Sequence, residues 1–251
     1  MPKLNIYSHN VCWTRRRKGS DIIATKIQEL QPDIACLQEC GFASQIKKLK
    51  LEGYYQSFVP VRSTKLGNTV AFMLMEKPKI GTLGGLMILS KQKPVKVEFV
   101  PFGKQIKLFP HALAFLVEKI IHRGFLVCEF EDFVVINVHL TADFKKKWKD
   151  KNTTVANSQN IELMEYINSI TTKKVVITGD FNFTPKNNSY KDLDKTNLAD
   201  VSDNIPFTYI DKKAKLDYIF TNLKVFMSTN SLVHFDKQPS DHFALLSEIE
   251  Y

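Results

Sequence analysis

No C-x-x-C pair occurs in this sequence. Its four cysteines, Cys12, Cys36, Cys40 and Cys128, fit no zinc-site spacing and are expected to be reduced thiols in a cytoplasmic chain. No apolar run is long enough to span a bilayer. No charged-then-apolar leader precedes the first strand-like stretch, Leu4-Asn5-Ile6-Tyr7-Ser8. A Gly/Ser- or Pro-rich linker, a low-complexity segment and a short-period repeat are all missing, so residues 1–251 are expected to form one domain. Negative charge is in deficit: 26 Asp and Glu stand against 35 Lys and Arg, a formal net charge of +9. That balance disfavours a basic partner and favours an anionic one: nucleic acid, a phosphorylated small molecule or an acidic membrane surface.

What is present is an ordinary globular composition, 44% hydrophobic and 24% charged. Short apolar runs at residues 4–11, 34–38, 69–75, 85–90, 125–130, 133–140, 175–179, 216–221 and 244–248 predict strands. A tight turn at Glu131-Asp132 pairs two of them. Helical spacing appears at 21–30, stopped by Pro32, and at 155–170. Interleaved elements with strands in the majority suit two sheets packed on each other with helices outside.

The strands end in polar residues. Asn10 follows Ile6-Tyr7-Ser8, and Glu39 follows Ile34-Ala35-Cys36-Leu37-Gln38. His139 closes Val134-Val135-Ile136-Asn137-Val138; Asp180 and Asn182 follow Val175-Val176-Ile177-Thr178-Gly179. Asp217 lies in Leu216-Asp217-Tyr218-Ile219-Phe220, and Asp241-His242 precede Phe243-Ala244-Leu245. Any one of these alone reads better as a turn former or cap. The whole set does not, because polar groups at strand ends of an α/β fold gather on one rim. Oxygen donors such as Glu39, Asp180, Asn182 and Asp241 suit Mg²⁺ or Mn²⁺. Histidines beside such an ion can serve as acid, base or phosphate partner.

Six ordered motifs now stand together: Ser8-His9-Asn10-Val11, Leu37-Gln38-Glu39, Val138-His139-Leu140, Gly179-Asp180-Phe181-Asn182, Leu216-Asp217-Tyr218-Ile219-Phe220 and Ser240-Asp241-His242-Phe243. With Gly84-Gly85-Leu86-Met87-Ile88-Leu89-Ser90-Lys91, they resemble the successive motifs of the endonuclease/exonuclease/phosphatase (DNase I-like) superfamily. The resemblance runs from Asn10 to His242 and implies a four-layered α/β sandwich. It also implies divalent-metal-dependent hydrolysis of phosphate esters, with Mg²⁺ or Mn²⁺ as cofactor. By position, Glu39 would hold the metal with Asn10 and Asp241. Asp180 would orient or deprotonate water, and Asn182 would fix the scissile phosphate or a metal. His242, polarised by Asp217, would contact the phosphate or act as base. His139 would stabilise the transition state or protonate the leaving oxygen. A carboxylate behind a histidine fixes its tautomer and raises its pKa, so an Asp217–His242 pair is expected. No motif residue is missing, which argues against a binding scaffold without activity. His139 and Cys12 depart from the AP endonuclease pattern, where a tyrosine and an acidic residue stand.

For substrate, two basic runs matter. Arg15-Arg16-Arg17-Lys18 follows the Asn10 strand end, and Lys145-Lys146-Lys147-Trp148-Lys149-Asp150-Lys151 follows the His139 strand end. Loops there would flank the site with positive charge for a phosphate backbone, and Trp13 and Trp148 could stack bases. A nuclease acting on DNA or RNA is the first expectation. A neutral sphingomyelinase-like phosphodiesterase is the alternative, since Gly84–Lys91 and Arg123-Gly124-Phe125-Leu126 also resemble that branch; an inositol-polyphosphate or nucleotide phosphatase is a third. The apolar segment 106–121 is expected to be a core helix or buried insertion rather than a membrane-dipping one. His9, His111, His122 and His234 are expected to be surface or satisfied histidines, with His9 on the opposite strand face from Asn10.

Overall fold

Apolar residues on both sides of a strand require cover on both faces, and the chain supplies it with two sheets and two layers of helix. The computed structural model describes residues 2–12, 17–41, 43–60, 84–103, 123–142, 149–170, 173–194 and 196–251. The expected strand at 69–75, the segment 106–121, Trp13, Arg15, Arg16, Lys145, Lys146, Lys147, Trp148, His111 and His122 lie outside them.

The described residues form twelve strands: β1 (Lys3–Asn10), β2 (Ile34–Cys40), β3 (Tyr55–Val59), β4 (Gly85–Ser90), β5 (Lys96–Pro101), β6 (Gly124–Glu129), β7 (Phe133–His139), β8 (Lys174–Asp180), β9 (Ala199–Asp200), β10 (Asp217–Thr221), β11 (Met227–Val233) and β12 (Ala244–Glu250). The helices are α1 (Arg17–Leu30), α2 (Ala43–Lys48), α3 (Lys149–Ser169) and α4 (Asn188–Asp194). One six-stranded sheet has the order β11-β12-β1-β2-β4-β3, the other β5-β6-β7-β8-β10-β9. Each contains one parallel pair, β1 with β2 and β7 with β8, because α1 and α3 are the crossovers between them.

Period-two alternation sorts the side chains into layers. Leu4, Ile6, Cys36 and Ile88 of the first sheet meet Leu126, Val135, Val176 and Ile219 of the second in a shared core. The outer face of the first sheet packs Tyr7, Leu37 and Met87 on Ile23 and Ile27 of α1. The outer face of the second packs Val134, Ile136 and Val138 on Leu163 and Ile167 of α3. The result is the expected four-layered sandwich. Each fully buried Ile or Val contributes about 1.5–3 kcal/mol. No described helix is long and apolar enough to cross a membrane.

Both crossover helices begin earlier than periodicity predicts. Arg17 and Lys18 form the first turn of α1, and Lys149, Asp150 and Lys151 that of α3. Arg17 is therefore helical rather than part of a loop. Arg and Lys are good helix formers, but a wholly polar first turn leaves no apolar stripe to read.

Candidate active site

In a parallel pair the C-terminal ends of both strands lie on one edge. Asn10 is level with Gln38 at the end of β1 and β2, and His139 with Asp180 at the end of β7 and β8. Antiparallel β10 starts at that edge, with Asp217 opposite Asp180. Alternation turns Asn10, His139, Asp180 and Asp217 inward, in step with the inter-sheet core residues Ile6, Val135, Val176 and Ile219. The candidate residues therefore meet where the two sheets face each other at one end of the sandwich.

The distances are those of a linked cluster. Asn10 Nδ2 donates to Asp180 Oδ2 at 2.8 Å and to Glu39 Oε1 at 3.3 Å. His139 Nε2 lies 3.9 Å from Glu39 Oε1 and 3.7 Å from Asp180 Oδ2. His242 Nδ1 is 2.8 Å from Asp217 Oδ2, the pairing anticipated from sequence, and its Nε2 is 3.9 Å from Asp180 Oδ2. Asn182, at φ 55°, donates its backbone N–H to Asp180 Oδ1 at 2.9 Å and its amide to the Leu140 carbonyl at 3.0 Å. Gly179 makes this turn possible: it sits at φ 144°, and a Cβ there would come 2.0 Å from the Val138 carbonyl oxygen. Ser240 ties the last motif to the first, donating to the Asn10 carbonyl at 2.5 Å and accepting from the His242 N–H at 3.1 Å. Asp241 accepts from Ser240 Oγ at 3.4 Å, and its charge acts on Glu39 and His242.

Burial sets the charge states. It raises the Asp180 carboxyl to about 7, aided by the charge of Asp217 beside it. Burial also raises Glu39 above the usual carboxylate range. For His242 burial pulls downward, but Asp217 and then Asp180 outweigh it and carry the imidazole up to about 10. His139 goes well below its ordinary value through burial, then the charges of Arg123 and His242. One histidine is thus held as a cation and the other as a neutral ring.

Buried oxyanions in such number call for a cation. Asp180, Asp217 and His242 offer ligand atoms within 4.8 Å of one another, close enough to hold a metal ion. In that trio His242 Nδ1 already engages Asp217 and Nε2 carries a proton in the imidazolium, which leaves carboxylate oxygens as the available donors. Asp217 Oδ1 is buried with no hydrogen-bond partner among the described residues. With Glu39 and the Asn10 amide alongside, the donor set fits a hard divalent ion.

Arg123, just before β6, is a site residue that motif reading left without a role. It donates to the Leu140 carbonyl at 3.1 Å, and its charge acts on Glu39 and His139. Tyr209 is another: its ring lies 5.0 Å from that of His242. It borders a cavity of about 200 Å³ lined also by Asn182, Phe183, Asn187, Lys212 and Leu216. In sequence Arg123 belongs only to the stretch that resembles the sphingomyelinase branch, and Tyr209 is a tyrosine in a polar loop. His9 is a satisfied core histidine, 2.9 Å from Tyr7 Oη and 3.2 Å from the His242 carbonyl. His234 is exposed. The Arg17 side chain lies outside the described atoms.

The sequence model of the Endonuclease/Exonuclease/phosphatase family matches residues 7–144. No curated protein sequence matches. Among solved structures, the human Nocturnin catalytic domain with bound sulfate anion superposes at TM-score 0.69 with 20% identity, over 99% of this chain and 93% of that one. An endonuclease/exonuclease/phosphatase from Bacteroides vulgatus gives 0.71 at 16% identity, over 100% and 99%. Truncated Caenorhabditis elegans TDP2 gives 0.66 at 15% identity, over 98% and 97%.

Proposed function

The chain belongs to the endonuclease/exonuclease/phosphatase family of metal-dependent phosphoester hydrolases, and from that premise we propose that it is a Mg²⁺- or Mn²⁺-dependent nuclease hydrolysing phosphodiester bonds of DNA or RNA. One observation carries the catalytic part: Asn10, Glu39, His139, Asp180, Asp217 and His242 form a connected cluster between the sheets. Glu39, with Asn10 and Asp241, would hold the ion, which supplies charge neutralisation on the phosphate and a more acidic water.

The side chains divide the remaining work. Asp180, with its pKa near neutrality, accepts the proton of the attacking water. His242 is kept cationic by Asp217 and Asp180 and binds a phosphate oxygen, and Asn182 fixes another. His139, uncharged, donates a hydrogen bond to the leaving oxygen. Arg123 adds fixed positive charge beside these groups.

Nucleic acid as substrate draws support from three features. The net charge is +9. In the sequence the basic runs come after β1 and β7, which end at Asn10 and His139. The cavity beside Asn182 has aromatic walls, Phe183 and Tyr209, with Lys212 at its edge, suited to a planar base.

A metal-dependent activity panel tests the reading: plasmid DNA, single-stranded DNA, RNA, sphingomyelin and inositol polyphosphates, each with Mg²⁺, Mn²⁺ or EDTA. Hydrolysis of a nucleic acid that EDTA and His242→Ala both abolish is the expected result. Turnover of sphingomyelin or an inositol phosphate without nuclease activity overturns the substrate assignment. Lys145→Ala/Lys146→Ala/Lys147→Ala should weaken nucleic-acid binding evenly across sequences and lower its salt dependence; unchanged salt dependence removes the rim from the interface.

A further inference from the structure

Strand alternation places Glu39 on the wrong side. Residues 34, 36 and 38 of β2 face the inter-sheet interior, and 35 and 37 face α1. Continued alternation would send Glu39 outward with Leu37. Its carboxylate instead lies beside Asn10 and His139, inside. A bulge makes the difference. Leu37 pairs with Met87 and Cys40 with Gly85, so three steps on β2 match two on β4. Glu39 sits within the bulge at φ 59°, and Cys40 resumes on the outer face.

The bulge is braced from the opposite sheet. Asn137 of β7 is completely buried. Its amide donates to the Leu37 carbonyl at 3.0 Å and the Met87 carbonyl at 2.9 Å, the two members of the register pair at which the bulge begins. Its Oδ1 accepts from Gln38 Nε2 at 2.8 Å. On the other side Gly84 lies against the Glu39 backbone, where a Cβ would come 2.3 Å from Glu39 Cα. The same amide belongs to the strand that carries His139, two residues on and on the same face.

We propose that Asn137, with Gln38, is a positioning device that locks the β2 bulge and so aims the Glu39 carboxylate at the cation site, in register with His139 across the sheets. This deepens the functional reading above and rests on its metal site. Asn137 touches no substrate; it acts through Glu39. Its loss frees the bulge to relax, and Glu39 spends part of its time turned away.

The test is Mn²⁺ binding to the full chain, measured by calorimetry and by Mn²⁺ electron paramagnetic resonance, well below the unfolding temperature of each variant. Asn137→Leu should lower Mn²⁺ affinity about 10-fold or more, the usual scale for removing a group that orients a ligand. Gln38→Met and Gly84→Ala disturb the same bulge from other directions and should also weaken binding. Thr178→Val is the control: Thr178 is equally buried between the sheets, but its hydroxyl bonds the Tyr218 carbonyl at 3.0 Å on β10. It should lose stability and keep its Mn²⁺ affinity. Folded Asn137→Leu with wild-type Mn²⁺ affinity overturns the proposal; if that variant does not fold, the same result for Gln38→Met overturns it. Equal loss of affinity in Thr178→Val also overturns it, by making the effect one of general loosening. Absence of Mn²⁺ binding to the wild type overturns the metal reading and this proposal with it, a distinguishable result.

Discussion

Replacing Asp217 with asparagine removes a charge and almost no volume. In the folded chain its carboxylate is 2.8 Å from His242 Nδ1 and heads the forces that raise this imidazole from 6.5 to about 10. A rise of that size corresponds to roughly 5 kcal/mol favouring the cation. His242 and Asp217 are both nearly inaccessible, so solvent screening takes little away. Asp217 shares the effect with Asp180, and its removal should forfeit about half, roughly 2–3 kcal/mol, which draws the alkaline limb down by about two pH units if the imidazolium meets the phosphate. The assay is kcat/KM from pH 5 to 10 at saturating metal, with the His242 ring titrated in parallel by NMR. In the wild type the alkaline limb should lie near 10, and in Asp217→Asn it should move toward neutral pH together with the NMR titration. A variant within threefold of wild type at pH 9.5, or an unmoved His242 titration, refutes the reasoning.

Stability should carry the same signature. The folded state holds the His242 proton more tightly than the unfolded chain does, so this group stabilises the fold below about 6.5 and the contribution is lost as pH rises toward 10. Thermal midpoints of metal-free protein should fall between pH 7 and 9, and His242→Gln should flatten that slope; an unchanged slope rejects the assignment. Gly179→Ala should lower stability by about 1–3 kcal/mol or more, because the new methyl meets the Val138 carbonyl at 2.0 Å and the backbone is strained there. Differential scanning fluorimetry reads this as a drop of at least several degrees; a wild-type midpoint would mean the β7–β8 approach is looser than described.

The candidate site residues were legible because each sits at a fixed offset from a buried strand. β1, β2, β4, β6, β7, β8, β10 and β12 are interior strands with apolar runs, and all were anticipated. Among the described residues the four missed strands, β3, β5, β9 and β11, are the four outermost of the two sheets. Edge strands have one flank in solvent and need fewer apolar residues; Met-Ser-Thr-Asn-Ser-Leu-Val in β11 has almost no pattern to read. The Asp217–His242 pair was readable because family motifs name both partners. The inward turn of Glu39 was not, since alternation predicts the opposite and only the pairing with β4 reveals the extra residue. Arg123 escaped for a related reason: its meaning depends on Leu140 and Glu39, distant in the chain and adjacent only once folded.

Three contacts at the heart of the cluster share one property: Asn10 with Asp180, Glu39 with His139, and the link from the segment entering β12, His242, to Asp217. Each joins one sheet to the other. Neither half of the sandwich owns a working set of groups, so a species with one sheet formed and the other loose has no centre at all. A cation lodged among these groups would then act as a rivet, offsetting the repulsion between carboxylates that the two sheets bring together and resisting separation of the layers at that end.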